Sequence, residues 1–193
     1  MLIDIVVYDG LDELDALGPL EVLRNAAYYG ADITVRLVTR EAQATVEGAH
    51  AVRFAPDAVY EPGADVLIVP GGGWNSRAAN GARAEVQRGD WLPLLQTARQ
   101  TARILAGVCT GTMLLAHAGV IGARRATTHR GAVEDLAALG ATVVSERVVD
   151  DGDLITCGGV TSGIDLALRL VEREVSPDMA KRVAAGIEYP PPS

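Results

Sequence analysis

A single cysteine stands between two glycines in Gly107-Val108-Cys109-Thr110-Gly111, where a β-type apolar run meets a helix-type one. Small residues on both sides of a nucleophile let the chain make a sharp, strained strand-to-helix turn that presents the central side chain. A thiol at such a turn faces the unpaired N–H groups and positive dipole end of the following helix, which favour the thiolate and stabilise a developing anion. The chemistry this pattern would support is covalent addition of sulfur to an electrophilic carbon. The competing reading is a small buried hydrophobe, the commonest condition of a free cysteine.

A cysteine nucleophile needs a proton partner. No histidine adjoins Cys109; His117 lies two helical turns further on, and His50 has no informative context. His129 in "ATTHRG" follows a short β-like piece and either reaches the site or serves structure. Asp15 lies after the first apolar run, where Leu14 and Leu17 could shield it and raise its pKa enough for acid-base work. Equally, Asp15 could be a solvated member of the cluster Asp9, Asp12, Glu13 and Asp15. In "PGGGWN", Gly72 and Gly73 allow backbone N–H groups to approach a ligand, so that the Gly72 and Thr110 N–H groups would form an oxyanion-binding pair. Trp74 either walls an apolar pocket or covers the sheet edge. Thr161 and Ser162 read as caps of the last long helix, and Cys157 as a packed thiol.

These residues must be positioned by elements that the periodicity suggests. Buried strands are expected at 2–8, 32–39, 64–69 and 104–108, a hairpin or irregular pair at 44–57, and two strands around Asp151-Gly152. Helices are expected from Pro19 to Gly30, at 91–102, after Cys109, and at 132–140, 163–176 and 177–189. Strands alternating with helices imply an α/β fold with a mostly parallel sheet sandwiched between helices. In such a fold ligands bind beyond the carboxyl ends of the strands, and the loops carrying Asp15, "PGGG", Cys109 and "CGGVTSG" all leave such ends.

With 193 residues, 49% of them apolar, the chain can form one substantial core, expected over 1–188 with a tail at 189–193. The 25 acidic against 17 basic residues give a formal charge of −8, which disfavours nucleic acid and anionic lipid as partners. No apolar stretch reaches membrane-spanning length, and the N-terminus has no signal-like basic and apolar regions, so a cytoplasmic location is expected. Two cysteines without clustered histidines make a poor zinc site, and neither metal nor organic cofactor is expected.

"LDALGPLEVL", "VLIVPGGG", "GVCTGTMLLAHAGVIGARRATTH" and "LITCGGVTSGIDLALRLVE" resemble, in this order, the ThiJ/PfpI superfamily, a relative of the class I glutamine amidotransferases. Within it they are most similar to the isonitrile hydratase branch. The resemblance implies a flavodoxin-like fold, a homodimer, and a strained nucleophile elbow at Cys109 with Thr110 and Gly72 as neighbouring donors and Asp15 as the acid. It implies hydration of a small isonitrile to an N-substituted formamide through a Cys109 thioimidate. Related members would instead suggest hydration of α-oxoaldehydes, or a cysteine-based redox or ligand sensor. Protease-like members carry Cys-His-Gly at the elbow, whereas this chain reads Cys-Thr-Gly, which argues against peptidase chemistry. Arg130 stands after His129 where hydratase relatives often carry an aromatic residue.

Overall fold

The structure, a computed structural model, describes residues 1–189. Its centre is a seven-stranded sheet in which β1 (Leu2–Val6), β2 (Thr34–Thr39), β5 (Ala58–Val59), β6 (Val66–Val69), β7 (Ile104–Val108), β10 (Val148–Asp150) and β11 (Leu154–Cys157) run in the order β10-β11-β7-β6-β1-β2-β5. Every pairing is parallel except that of β10 with β11, which close a hairpin over Asp151-Gly152. Two small pairs complete the strands: β3 (Val46–Glu47) with β4 (Arg53–Phe54), and β8 (Arg125–Ala126) with β9 (Thr142–Val143). This is the mostly parallel α/β arrangement that the alternating pattern implied, and the flavodoxin-like form that the family resemblance implied.

Burial on both faces explains why β6 and β7 read as unbroken apolar runs: all of Val66–Val69 and Ile104–Val108 are buried. One face is covered by α1 (Glu13–Tyr28), α6 (Ser162–Glu174) and α7 (Pro177–Gly186), the other by α2 (Ala82–Arg88), α3 (Leu92–Thr101) and α4 (Gly111–His117). Helix α5 (Val133–Ala138) follows a short 3₁₀ turn at Arg130–Ala132. The one charged pair within the sheet is cross-strand: Asp4, fully buried, accepts two 2.9 Å bonds from Arg36, its register partner on β2.

Two expectations change here. Helix α1 starts at Glu13, with Asp12 as its N-cap, so Pro19 lies inside the helix and not at its first position. Proline there removes an amide bond to the Asp15 carbonyl. Tight packing maintains the helix instead: a Cβ on Gly163 would lie 3.2 Å from the Pro19 ring, and one on Gly18 would lie 3.3 Å from Ile164. The residues read as a tail from 189 also divide. Tyr189 is anchored, its hydroxyl 3.1 Å from Asp165 and its N–H donating to the Ala184 carbonyl, while 190–193 lie outside the described residues.

Strand β1 lies between β2 and β6, so the chain leaves β1 in one direction and returns on its other side. Such a switch point opens a crevice at the carboxyl ends. The loops after β1 and β6 meet there: Asp12 N–H donates to the Gly71 carbonyl at 2.9 Å, and a Cβ on Gly72 would fall 2.4 Å from the Asp12 nitrogen. The loop after β7 is pressed equally close, since a Cβ on Gly111 would lie 1.9 Å from the Val69 carbonyl oxygen. Gly111→Ala is therefore expected to destabilise the fold by about 3 kcal/mol, because backbone must move to accept the methyl group. Urea unfolding would measure this, and a midpoint within error of the parent would contradict the close packing.

Candidate active site

Cys109 occupies the turn with φ 55°, in the left-handed region, a conformation that disfavours an L-residue by about 1 to 2 kcal/mol. The turn is held from three sides. Cys109 N–H donates to the Gly158 carbonyl at 3.0 Å, its carbonyl accepts from the Thr128 hydroxyl at 2.8 Å, and Gly107 leaves room for Thr112, whose hydroxyl a Cβ would approach to 2.6 Å. Val160, a β-branched residue, is also left-handed at φ 45°, an outlier that only a tightly determined site sustains. Its backbone lowers the pKa of both Cys109 and Asp15, against the larger effect of burial.

Asp15 has no exposed surface. The first turn of α1 carries it under the glycine loop, where Oδ2 accepts the Gly71 N–H at 3.0 Å and Oδ1 is left without a conventional hydrogen-bond partner. Burial, reinforced by the charge of Asp12, raises its pKa to about 8 against the counter-pull of the Gly71 N–H, the Cys109 thiol and the Val160 N–H. The solvated reading of Asp15 is thus set aside. Glu13 is equally engaged elsewhere, pinning the β3–β4 hairpin by accepting from the His50 N–H and ring, each at 2.7 Å.

The thiol departs from the sequence expectation. Burial and the neighbouring Asp15 charge push Cys109 up to about 12, and the Val160 and Thr110 N–H groups only partly oppose this. Helix α4 is short, and desolvation outweighs what its N-terminus supplies. The site therefore holds a neutral thiol beside a carboxyl that keeps its proton at neutral pH.

The expected oxyanion pair is also altered. The Gly72 N–H donates to the Thr110 hydroxyl at 2.9 Å, tying the glycine loop to the elbow, while the Thr110 N–H acts on the sulfur. Gly73, at φ 69°, carries the next backbone amide along the pocket wall. Trp74 lines the pocket's edge, but its indole N–H donates to Asp135 at 2.7 Å and its ring lies 5.7 Å from that of His117. It braces the loop against α4 and α5. His129 does reach the pocket. Its Nδ1 accepts the Gly131 N–H and meets the Asn75 amide, both at 3.1 Å, which leaves Nε2 as the ring nitrogen not engaged in those contacts. Thr161 stands at the N-cap position of α6 without a side-chain cap bond, its hydroxyl accepting from Arg147 at 3.0 Å. Cys157 is fully buried, as expected.

A pocket of about 230 Å³ opens over Cys109, lined by Asp12, Gly72, Thr110, His129 and Val160, while Asp15 is fully buried and does not line it. His129 and Val160 also border an adjoining groove of about 800 Å³. Sequence reasoning missed Val160, Asn75 and Thr128. A "CGGV" run signals a turn, but the N–H direction of its last residue appears only when β11 lies beside β7.

The DJ-1/PfpI family profile matches residues 1–173. The chain belongs to that family. It is 35% identical over 191 residues to an isonitrile hydratase of Pseudomonas putida, covering 98% of this chain and 78% of that protein. It is 28% identical over 190 residues to a Parkinson disease protein 7 homolog of Danio rerio, covering 94% and 93% respectively. Among solved structures, a ThiJ/PfpI family protein from Pseudomonas syringae superposes with a TM-score of 0.88 at 26% identity, over all of this chain and 76% of the other. As to location, no helix among the described residues is long and apolar enough to cross a membrane.

Asp15 gives family membership a measurable consequence. The unfolded chain ionises this group near 3.8, whereas the folded protein holds the proton to about 8, so stability falls as pH rises between those values and levels off above about 8. The slope approaches about 1.4 kcal/mol per pH unit, on the order of 4 kcal/mol in all by pH 7. Asp15→Asn should remove it. Urea unfolding of both proteins at pH 5, 6 and 7 checks this, and parallel stability curves would show that Asp15 is not protonated in the folded state.

Proposed function

We propose that this protein is a hydratase of small isonitriles, with Cys109 as nucleophile and Asp15 as the proton-transfer group. The observation that carries the reading is a fully buried carboxyl, one oxygen of it without a hydrogen-bond partner among the described residues, beside a thiol at a strained elbow. Similarity to an isonitrile hydratase over 98% of the chain supports it.

An isonitrile, R–N≡C, is activated when its terminal carbon takes a proton. Protonated Asp15 donates that proton, forming the C–H bond and leaving a carboxylate. The Cys109 sulfur attacks the same carbon as its own proton passes to Asp15, giving the thioimidate R–N=CH–S–Cys109. The thiol need not ionise beforehand, which accords with its raised pKa. Water then adds to the thioimidate carbon, protonation of nitrogen and collapse expel the sulfur, and R–NH–CHO leaves with the thiol restored. Asp15 relays protons in both halves, and the N–H groups of Thr110 and Val160 steady charge that develops on sulfur. His129 lines the same pocket and contacts the bound substrate there. The reaction consumes one water and needs no redox step. A homodimer confined to the cytoplasm is part of the same proposal.

The neutral thiol weighs against a redox sensor, since the thiolate is the form that peroxide attacks. Hydration of α-oxoaldehydes is tested alongside the main reading. Purified protein should convert para-nitrophenyl isonitrile to its formamide. Cys109→Ala should abolish turnover, and Asp15→Asn should reduce it by about 100-fold or more. Because the acid form of Asp15 is required, kcat/KM should fall as pH rises through about 8. Turnover of methylglyoxal without turnover of the isonitrile would reject the assignment.

A further inference from the structure

The groove of about 800 Å³ that adjoins the Cys109 cavity lies between the loop after β8, the β9–β10 connection and the Gly158–Val160 turn. Three charged side chains line it: Arg130, Glu146 and Arg147. Arg147 is neutralised, its guanidinium 2.5 Å from the buried Asp165 carboxylate and bonded to the hydroxyls of Thr161 and Tyr189. Glu146 is paired with Arg125 at 3.1 Å. Arg130 has no partner among the described residues.

That condition is rare in this molecule. The chain has 17 lysines and arginines against 25 acids, and 13 of the 17 lie within 4.0 Å of a carboxylate. Arg83 and Arg182 lie instead over the rings of Trp74 and Tyr29. Only Arg77 and Arg130, among the described residues, have neither. Both belong to the loops that the Asn75–His129 contact joins, and those loops are pressed together, since a Cβ on Gly131 would fall 2.5 Å from the Asn75 amide. Of these two, Arg130 lines the groove beside the Cys109 cavity, and Arg77 follows the Asn75–Ser76 segment that borders the cavity itself.

We propose that the groove takes the tail of a substrate bearing a single carboxylate, with Arg130 as the residue that recognises it. The proposal rests on the reading of the Cys109 cavity as the reaction site and specifies which isonitriles it accepts. Arg130 directly follows His129, at the junction of the two cavities, and the bond from the Gly131 N–H to His129 fixes the turn that presents it. A guanidinium fork matches a carboxylate in a bidentate manner. With Arg147 and Glu146 each already paired, Arg130 is the one uncompensated charge among the groove's described lining residues, which suits a ligand carrying a single negative charge. Overall negative charge would otherwise repel such a substrate, so a local cation is needed for its capture.

The test compares para-carboxyphenyl isonitrile with its neutral methyl ester in low salt. Wild-type kcat/KM should favour the carboxylate by about tenfold, chiefly through KM, and the preference should shrink as salt rises. Arg130→Gln should bring the ratio near one and Arg130→Glu should reverse it, while Arg182→Gln, distant from the groove, should preserve it. In parallel, calorimetry on Cys109→Ala should show tighter binding of 4-formamidobenzoate than of its methyl ester, a difference lost in Cys109→Ala/Arg130→Gln. If the wild type turns over neither isonitrile, the hydratase assignment fails, and the binding measurement alone decides the present proposal. Equal binding of the two formamides, or none of either, overturns it.

Discussion

A carboxyl group with no contact to solvent stays ionised only if something compensates its charge, and the surroundings of Asp15 compensate it poorly. One oxygen accepts the Gly71 N–H, the other has no conventional partner, and no cation pairs with either. Neutralisation by a proton is the remaining solution. Asp4, also buried, shows the alternative within the same fold: a bidentate arginine on the adjacent strand lets that carboxylate be paired. The difference between the two aspartates is whether an arginine or a proton compensates the buried group.

Keeping that proton beside Cys109 requires a dry and narrow space, which close backbone approach supplies. Gly71, Gly72 and Gly111 lie where a Cβ would strike the backbone of a neighbouring loop. The left-handed Cys109 and Val160 lie between these contacts, so relaxing either would disturb the hydrogen bonds that hold the elbow. Strain at the nucleophile is thus maintained by packing several residues away. The same packing raises the thiol pKa, so the proposed attack couples to proton transfer and does not start from a preformed thiolate.

The family shares its frame across proteins with different printed roles, among them an isonitrile hydratase and a Parkinson disease protein 7 homolog. A common sheet places the elbow, while loops at its carboxyl ends determine what reaches it. In this chain the loop after β8 brings His129 to the pocket and Arg130 to the groove beyond. The sheet and the loops therefore vary on separate terms: the first decides that a cysteine can act, the second what it meets.

Strand order within the chain, the cysteine between paired glycines and the convergence of loops at one sheet edge were legible in the amino-acid sequence, because each follows from local periodicity or from the backbone freedom of glycine. The start of α1 was not, since Pro19 suggests a first helical turn and only Gly163 and Ile164, distant in sequence, explain why the helix passes through it. The protonation states of Asp15 and Cys109 were likewise beyond a one-dimensional reading. A helix N-terminus favours a thiolate, yet desolvation opposes it, and the balance depends on burial created by the Gly71, Thr110 and Val160 segments together. The sequence by itself determined the candidate nucleophile's place in a glycine-flanked turn. Only tertiary structure decided where the protons reside, because solvent exclusion is a property of loops meeting in space.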